Sequence, residues 1–286
     1  MKVYMLWDME GVSGLFTREQ CWYWEPGARP HVAAEGRGLM MEDVKSACAA
    51  ALAAGADEVI VCDTHHGGGN LVVDQLPVDP RITYHGRSVG DEDGRLRWMP
   101  GLDASVDCFM LPGHHAMEGT PGAFLPHTAW SKELADFRIN GRSVGEIGLE
   151  SCFAGHWDVP FALVQGDAAL SAEAQAQYPG VVTAEVKRAI GRDQCVGLDP
   201  AAARQLTAQK IAEAIELTRA GKIAPFKPKL PMTVTVEMRT IELAETLARR
   251  PGVRLIPPLT VEIDLEQQCD VVKWFKGAGL DMAPRT

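Results

Sequence analysis

Apolar runs of strand length alternate with amphipathic stretches of helix length from the first residues onward, and no other feature restricts the fold of this chain as strongly. That alternation is the pattern of parallel strands joined by crossover helices. Val3 to Trp7 reads as a buried first strand. From about Glu35 to Ala54, Leu39, Met40, Val44, Cys48, Ala51 and Leu52 recur at helical spacing, and Gly55 follows as a C-terminal stop. EVIVCD and DCFMLPG are further strands, separated by a polar, Gly- and Asp-rich stretch around residues 86 to 95. In FRINGRSV an Asn-Gly pair flanked by apolar alternation predicts a type I′ hairpin, which feeds a helix over Val144 to Ala154. PFALVQGD is another buried strand, and Asp199-Pro200 opens an Ala-rich helix towards Arg219. PFKPKLP reads as a linker, after which MTVTVEM and LTVEIDL are strands, each followed by a helix-like segment. The expected fold is α/β, a three-layer, mostly parallel sheet with flanking helices. Residues 1–228 form the larger domain and 229–286 a smaller C-terminal α/β subdomain.

The whole-chain properties remove several classes of function. A chain of 286 residues with 46% apolar composition buries a substantial core. The net charge of -10, without any basic run, excludes nucleic acid and anionic membrane surfaces as partners. The first apolar run reaches Asp8 too early for a signal-peptide core, and no stretch approaches the roughly 18 apolar residues of a membrane span. The seven cysteines are scattered singly, which fits reduced thiols in the cytoplasm, with Cys62 and Cys108 as core residues.

Chemistry concentrates where the first three strands end. In WDMEG, Asp8 and Glu10 follow the first strand, and the strand period of two aims both at one face. Two such carboxylates raise each other's pKa unless a cation holds them ionised, although solvated loop acids are the plainer reading. CDTHHGGGN sets Asp63, His65 and His66 beyond the second strand, and PGHHAMEGTPG sets His114 and His115 beyond the third. The carboxyl edge of an open parallel sheet is where ligands bind, and imidazole with carboxylate is a ligand set suited to zinc. Glu146 falls in the first turn of the helix after the hairpin, as a ligand or as a capping acid. His127, in FLPHTAW, is a candidate proton donor, proton acceptor or oxyanion partner. Gly67-Gly68-Gly69 lacks both phosphate-loop frames and reads as a flexible loop.

In order and spacing, MKVYMLWDMEGVSGL, CDTHHGGGNL, GHHAMEGTPG, INGRSVGEIGLES, AGHWDVPFALVQGD and AEVKRAIGR resemble the successive motifs of the zinc-dependent D-aminopeptidases, peptidase family M55. The likeness runs into the VTVEM and TVEIDL strands and so spans nearly the whole chain. It implies a cytoplasmic hydrolase with two zinc ions per subunit, cleaving the N-terminal residue from small D-amino-acid peptides or amides. Asp8 matches the metal-bridging aspartate, Glu10 and His65 match neighbouring ligands, and His115 and Glu146 match two more. His127 matches the catalytic histidine, and all the candidate ligands lie in the larger domain. A ring-like homo-oligomer is implied too, with a decamer as the candidate size.

This sequence departs from the family pattern in four places. His66 and His114 have no fixed counterpart and could compete for metal, and the loop before His127 is one residue longer. CWYWEPGARPH carries Trp22, Tyr23 and Trp24, which line a pocket, pack on the surface or meet another subunit. Two rival functions remain open from the residues alone. One is a metal-dependent phosphoesterase, against which the missing basic clamp counts; the other is a non-catalytic peptide-binding protein of the same fold.

Overall fold

The computed structural model describes residues 1–92 and 95–271. Its strands are β1 (Lys2–Trp7), β2 (Glu58–Asp63), β3 (Ile82–His85), β4 (Val89–Glu92), β5 (Arg95–Trp98), β6 (Cys108–Leu111), β7 (Leu134–Ile139), β8 (Arg142–Ser143), β9 (Phe161–Asp167), β10 (Val182–Gly191), β11 (Gln194–Gly197), β12 (Met232–Met238), β13 (Arg254–Ile256) and β14 (Thr260–Leu265). Its helices are α1 (Arg18–Cys21), α2 (Pro30–Ala53), α3 (Glu146–Gly155), α4 (Ala168–Gln177), α5 (Pro200–Arg219) and α6 (Ile241–Leu247).

Seven strands form one sheet in the order β11-β10-β9-β6-β1-β2-β3, parallel throughout except for the β10–β11 pair. Alternation along β1 shows how this sheet separates two cores. Val3, Met5 and Trp7 join Met40, Val44 and Cys48 of α2 and Ile211 and Ile215 of α5 on one face. Tyr4 and Leu6 face the other way, towards Ile147 and Phe153 of α3 and towards Phe137, Val234 and Ile263 of a second sheet. That second sheet is antiparallel, in the order β13-β14-β12-β7-β8. Strands after Pro231 therefore hydrogen-bond to a strand from the middle of the chain, Val234 opposite Ile139.

Local signals act as the sequence suggests at most boundaries. Asn140 and Gly141 both have positive φ, 51° and 80°, as a type I′ turn between β7 and β8 demands. Asp199 caps α5 by accepting from the Ala201 amide, with Pro200 in the first turn. Helix α2 begins at Pro30, ahead of the expected Glu35, because Pro fits the first turn and opens the helix there. The polar stretch near residue 90 contains the two-stranded ribbon β4–β5, which no apolar alternation announces. Of the C-terminal segment expected after TVEIDL, residues 272–286 lie outside the described residues. No described helix is long and apolar enough to cross a membrane.

Candidate active site

Three adjacent strands, β6, β1 and β2, end side by side, and the loops leaving them are stitched together by main-chain bonds. The Asp8 amide donates to Pro112 O (3.2 Å), that of Gly11 to Gly113 O (2.6 Å) and that of Thr64 to Trp7 O (2.9 Å). Gly113 must be glycine here: its φ is 78°, and a Cβ would lie 2.1 Å from the Asp8 carbonyl oxygen.

At this junction the five expected ligands converge. Asp8 and Glu10 lie just past the last residue of β1, so the turn of the loop, not the pleat of the strand, brings both inward; each is at most 3% exposed. Asp8 Oδ1 is 2.6 Å from His65 Nδ1, and Asp8 Oδ2 is 3.3 Å from His115 Nε2. Glu10 Oε2 is 3.3 Å from His65 Nδ1, and Glu146 Oε1 is 3.5 Å from His115 Nε2. His127 Nε2 lies 3.6 Å from the same Glu146 oxygen, and its ring stacks on that of His115 with centroids 3.8 Å apart.

Three triads place ligand atoms close enough for one cation: Asp8–Glu10–His65, Asp8–His115–Glu146 and Glu10–His115–His127. The first two share Asp8 and use its separate oxygens. Two buried atoms at this place, Glu10 Oε2 and His115 Nε2, have no hydrogen-bond partner, which is costly unless something else fills the coordination. Main-chain carbonyls orient the rings. His65 Nε2 faces Cys21 O (2.9 Å), His115 Nδ1 faces Ala116 O (3.0 Å) and His127 Nδ1 faces Leu125 O (2.9 Å). A carbonyl only accepts, so each of these nitrogens carries a proton and the other ring nitrogen is the one that faces the centre.

The charges are strongly coupled. Burial opposes the charge on Asp8, but the imidazoles of His115 and His65 beside it hold its pKa well below the usual carboxylate range. Burial likewise opposes a charged Glu146, yet His115 and His127 lower it to about 2. The same acids raise His65 and His115 against their burial. His127 moves the other way: burial, followed by the neighbouring His115 charge, lowers its pKa and favours a neutral ring. Above the centre opens a cleft of about 490 Å³, lined also by Trp22, Trp24 and Trp130.

Known proteins resemble this chain over nearly its whole length. The D-aminopeptidase model of peptidase family M55 matches residues 1–277. This chain belongs to the M55 D-aminopeptidase family. It is 32% identical to a D-aminopeptidase of Bacillus subtilis (strain 168) over 255 residues, 89% of this chain and 88% of that one. It also superposes on the solved Zn-dependent D-aminopeptidase of Bacillus subtilis, a self-compartmentalizing protease, with a TM-score of 0.86 at 30% identity, covering 100% and 99% of the two chains. A hydrolase of the M55 type on an α/β fold, the expectation from sequence, is thus the family and the architecture found.

Within this M55 site the remaining candidates divide clearly. His114 belongs to none of the three triads: its Nε2 is 2.7 Å from Glu150 Oε2 and its Nδ1 3.1 Å from Pro112 O. His66 lies flat against Trp24, with centroids 4.0 Å apart. Asp63 instead ties down its own loop, accepting from the Asn70 and Leu71 amides and from Asn70 Nδ2.

Two supporting roles escaped the sequence reading, one of Trp22 and one of Lys187. Trp22 Nε1 donates to Glu10 Oε1 at 2.6 Å. Lys187, buried on β10, gives its ammonium to the carbonyls of Glu10 (2.8 Å), Val12 (2.5 Å) and Leu15 (2.6 Å), and burial lowers its pKa. Alternation gives no signal for it: the buried positions Val182, Ala184 and Val186 put Lys187 on the outward phase, and its burial accompanies a register shift between Glu185 and Lys187. All seven cysteines are buried, and burial raises the thiols of Cys21, Cys48, Cys108, Cys152 and Cys195, the opposite of an activated thiolate.

Proposed function

We propose that the protein is a binuclear zinc aminopeptidase that removes the N-terminal residue from small D-amino-acid peptides or amides, with two zinc ions per chain. The sharing of Asp8 between two ligand triads carries this reading, because one carboxylate facing two cation positions is the arrangement a two-metal centre needs. Asp8, Glu10 and His65 would hold one ion, and Asp8, His115 and Glu146 the other. Bound zinc would supply Lewis acidity and bring the pKa of a coordinated water from 15.7 down to roughly 7.

The chain's own side chains account for the remaining steps. Neutral His127 takes a proton at Nε2 as water attacks the substrate carbonyl, and returns it to the leaving amine. Trp22 holds Glu10 from outside, and Lys187 holds the loop that carries it, so the ligand carboxylate keeps its orientation while substrate enters. Because the Bacillus subtilis protein is self-compartmentalizing, a ring-like homo-oligomer, with a decamer as the candidate size, belongs to the same proposal, as does residence in the cytoplasm.

Purified protein, with and without chelator, should be assayed on matched D- and L-alanyl amides and dipeptides while zinc per chain and particle mass are measured. Two zinc ions per chain, D-selective release of alanine and its loss on chelation are expected. Equal turnover of L-substrates, or turnover only of a phosphate monoester, would overturn the assignment.

A further inference from the structure

We propose that the cleft over the metal centre is a subsite for a bulky aromatic or large apolar side chain, with Trp24 as its principal contact. This rests on the aminopeptidase reading and names the substrate class of that site. The floor of the cleft is formed by Asp8, His65, His127 and Glu146, so an occupant that reaches the floor is placed for reaction. Its walls carry the indoles of Trp22, Trp24 and Trp130, contributed by two separate loops. A cleft of about 490 Å³ falls in the range of roughly 300–1,000 Å³ that holds much larger ligands than an alanyl amide.

The aromatic segment is held by contacts within the chain. Trp22 is fixed by its bond to Glu10, and the Arg18 guanidinium sits 4.1 Å over its ring. Tyr23 is fixed by its hydroxyl on Asn70 Oδ1 (2.7 Å), with Arg37 4.5 Å over its ring. Trp24 lies nearly parallel to Trp22 (6.1 Å, 24°) and is backed by His66 at 4.0 Å and 9°. His66 adopts φ 52°, an unusual backbone state for a residue other than glycine, and in that state its ring buttresses the indole. Yet Trp24 remains 37% exposed beside a floor of buried ionisable groups. An alanyl methyl would leave this prepared aromatic surface wet, whereas an aromatic or branched apolar side chain would cover it. Pre-organisation adds to affinity because little ordering remains to be done on binding.

The zinc-loaded full chain should be tested with the amides of D-alanine, D-leucine, D-phenylalanine and D-tryptophan. In parallel, the free amino acids D-phenylalanine and D-alanine should be titrated by calorimetry. We expect kcat/KM roughly tenfold or more higher for the aromatic amides than for D-alaninamide, and binding of D-phenylalanine tighter than D-alanine by a similar factor. Trp24→Ala should shrink both ratios to near unity, mainly through KM, and Trp24→Phe should restore much of them. Unaltered selectivity in Trp24→Ala, or a preference for D-alanine in the parent protein, overturns the subsite. So does a change of particle mass in Trp24→Ala without a change of selectivity, which would make the residue a contact between copies. Absence of any amide hydrolysis together with Trp24-dependent binding of D-phenylalanine would sink the aminopeptidase reading and leave the subsite standing.

Discussion

His114 and His115 are neighbours in the chain, and Glu150 and Glu146 lie one turn apart on α3, yet the two His–Glu pairs serve opposite ends. In the interior behind the site, His114 and Glu150 meet at 2.7 Å, both almost wholly buried, and the second ring nitrogen is bonded to Pro112. On the cleft side His115 stands 3.5 Å from Glu146, and its Nε2 has no hydrogen bond. The closed pair satisfies its charges internally, and burial notwithstanding, Glu150 raises His114 to about 9. What separates the two histidines is where Nε2 points: that of His115 faces the cluster of Asp8 and Glu146, and that of His114 is turned to Glu150 behind it.

Substitutions on the two sides should separate these roles. The largest effect is expected for Asp8→Asn, which removes the oxygen charge shared by both triads: zinc should be lost and kcat/KM should fall by roughly 10³-fold or more, as metal analysis and steady-state kinetics would show. Zinc retained at full content in that variant would erase the distinction between the cleft and the interior. Next, His114→Ala strands the Glu150 carboxylate and should cost about 3–5 kcal/mol in urea unfolding while zinc per chain stays constant; His115→Ala should instead reduce zinc content by about half. His127→Ala should keep its zinc and lose roughly 10²-fold in kcat, a split that metal analysis beside single-turnover kinetics would test.

The smallest effect concerns a buried acid that has no base. Glu173 accepts from the Met117 amide through one oxygen while the other has no partner, and burial raises its pKa to about 7. Because the folded value lies above the ordinary one near 4.5, its stabilising contribution is complete below pH 4.5 and is lost as pH rises through 7. Zinc-free protein should lose about 3 kcal/mol over that window, and Glu173→Gln should flatten the slope in thermal melts. An unchanged slope would show that this carboxylate finds a partner on opening of the structure, and that Glu150 is not special in having one.

Much of the fold was readable because its signals are local. The Asn-Gly turn, the Asp199-Pro200 start and the buried runs of β1, β2, β6 and β9 each need only a few consecutive residues. The second sheet was hidden for the opposite reason: β12 pairs with β7 across a long stretch of chain, and neither strand carries a mark of its partner. The same limit applies to Trp22 and Lys187, whose bonds to the Glu10 loop join segments distant in sequence.

From its residues alone, this chain determined an alternating α/β architecture and set Asp8, Glu10, His65, His115, Glu146 and His127 on loops beyond strands or at a helix start. Hydrophobic periodicity and turn chemistry are short-range, so they survive reading in one dimension. Tertiary structure alone decided which of His114 and His115 faces the cleft, that one Asp8 carboxylate serves two triads, and that the tryptophans after α1 line the wall above them. Those outcomes depend on distances between groups far apart in the chain, which only the packing of the two sheets and their loops sets.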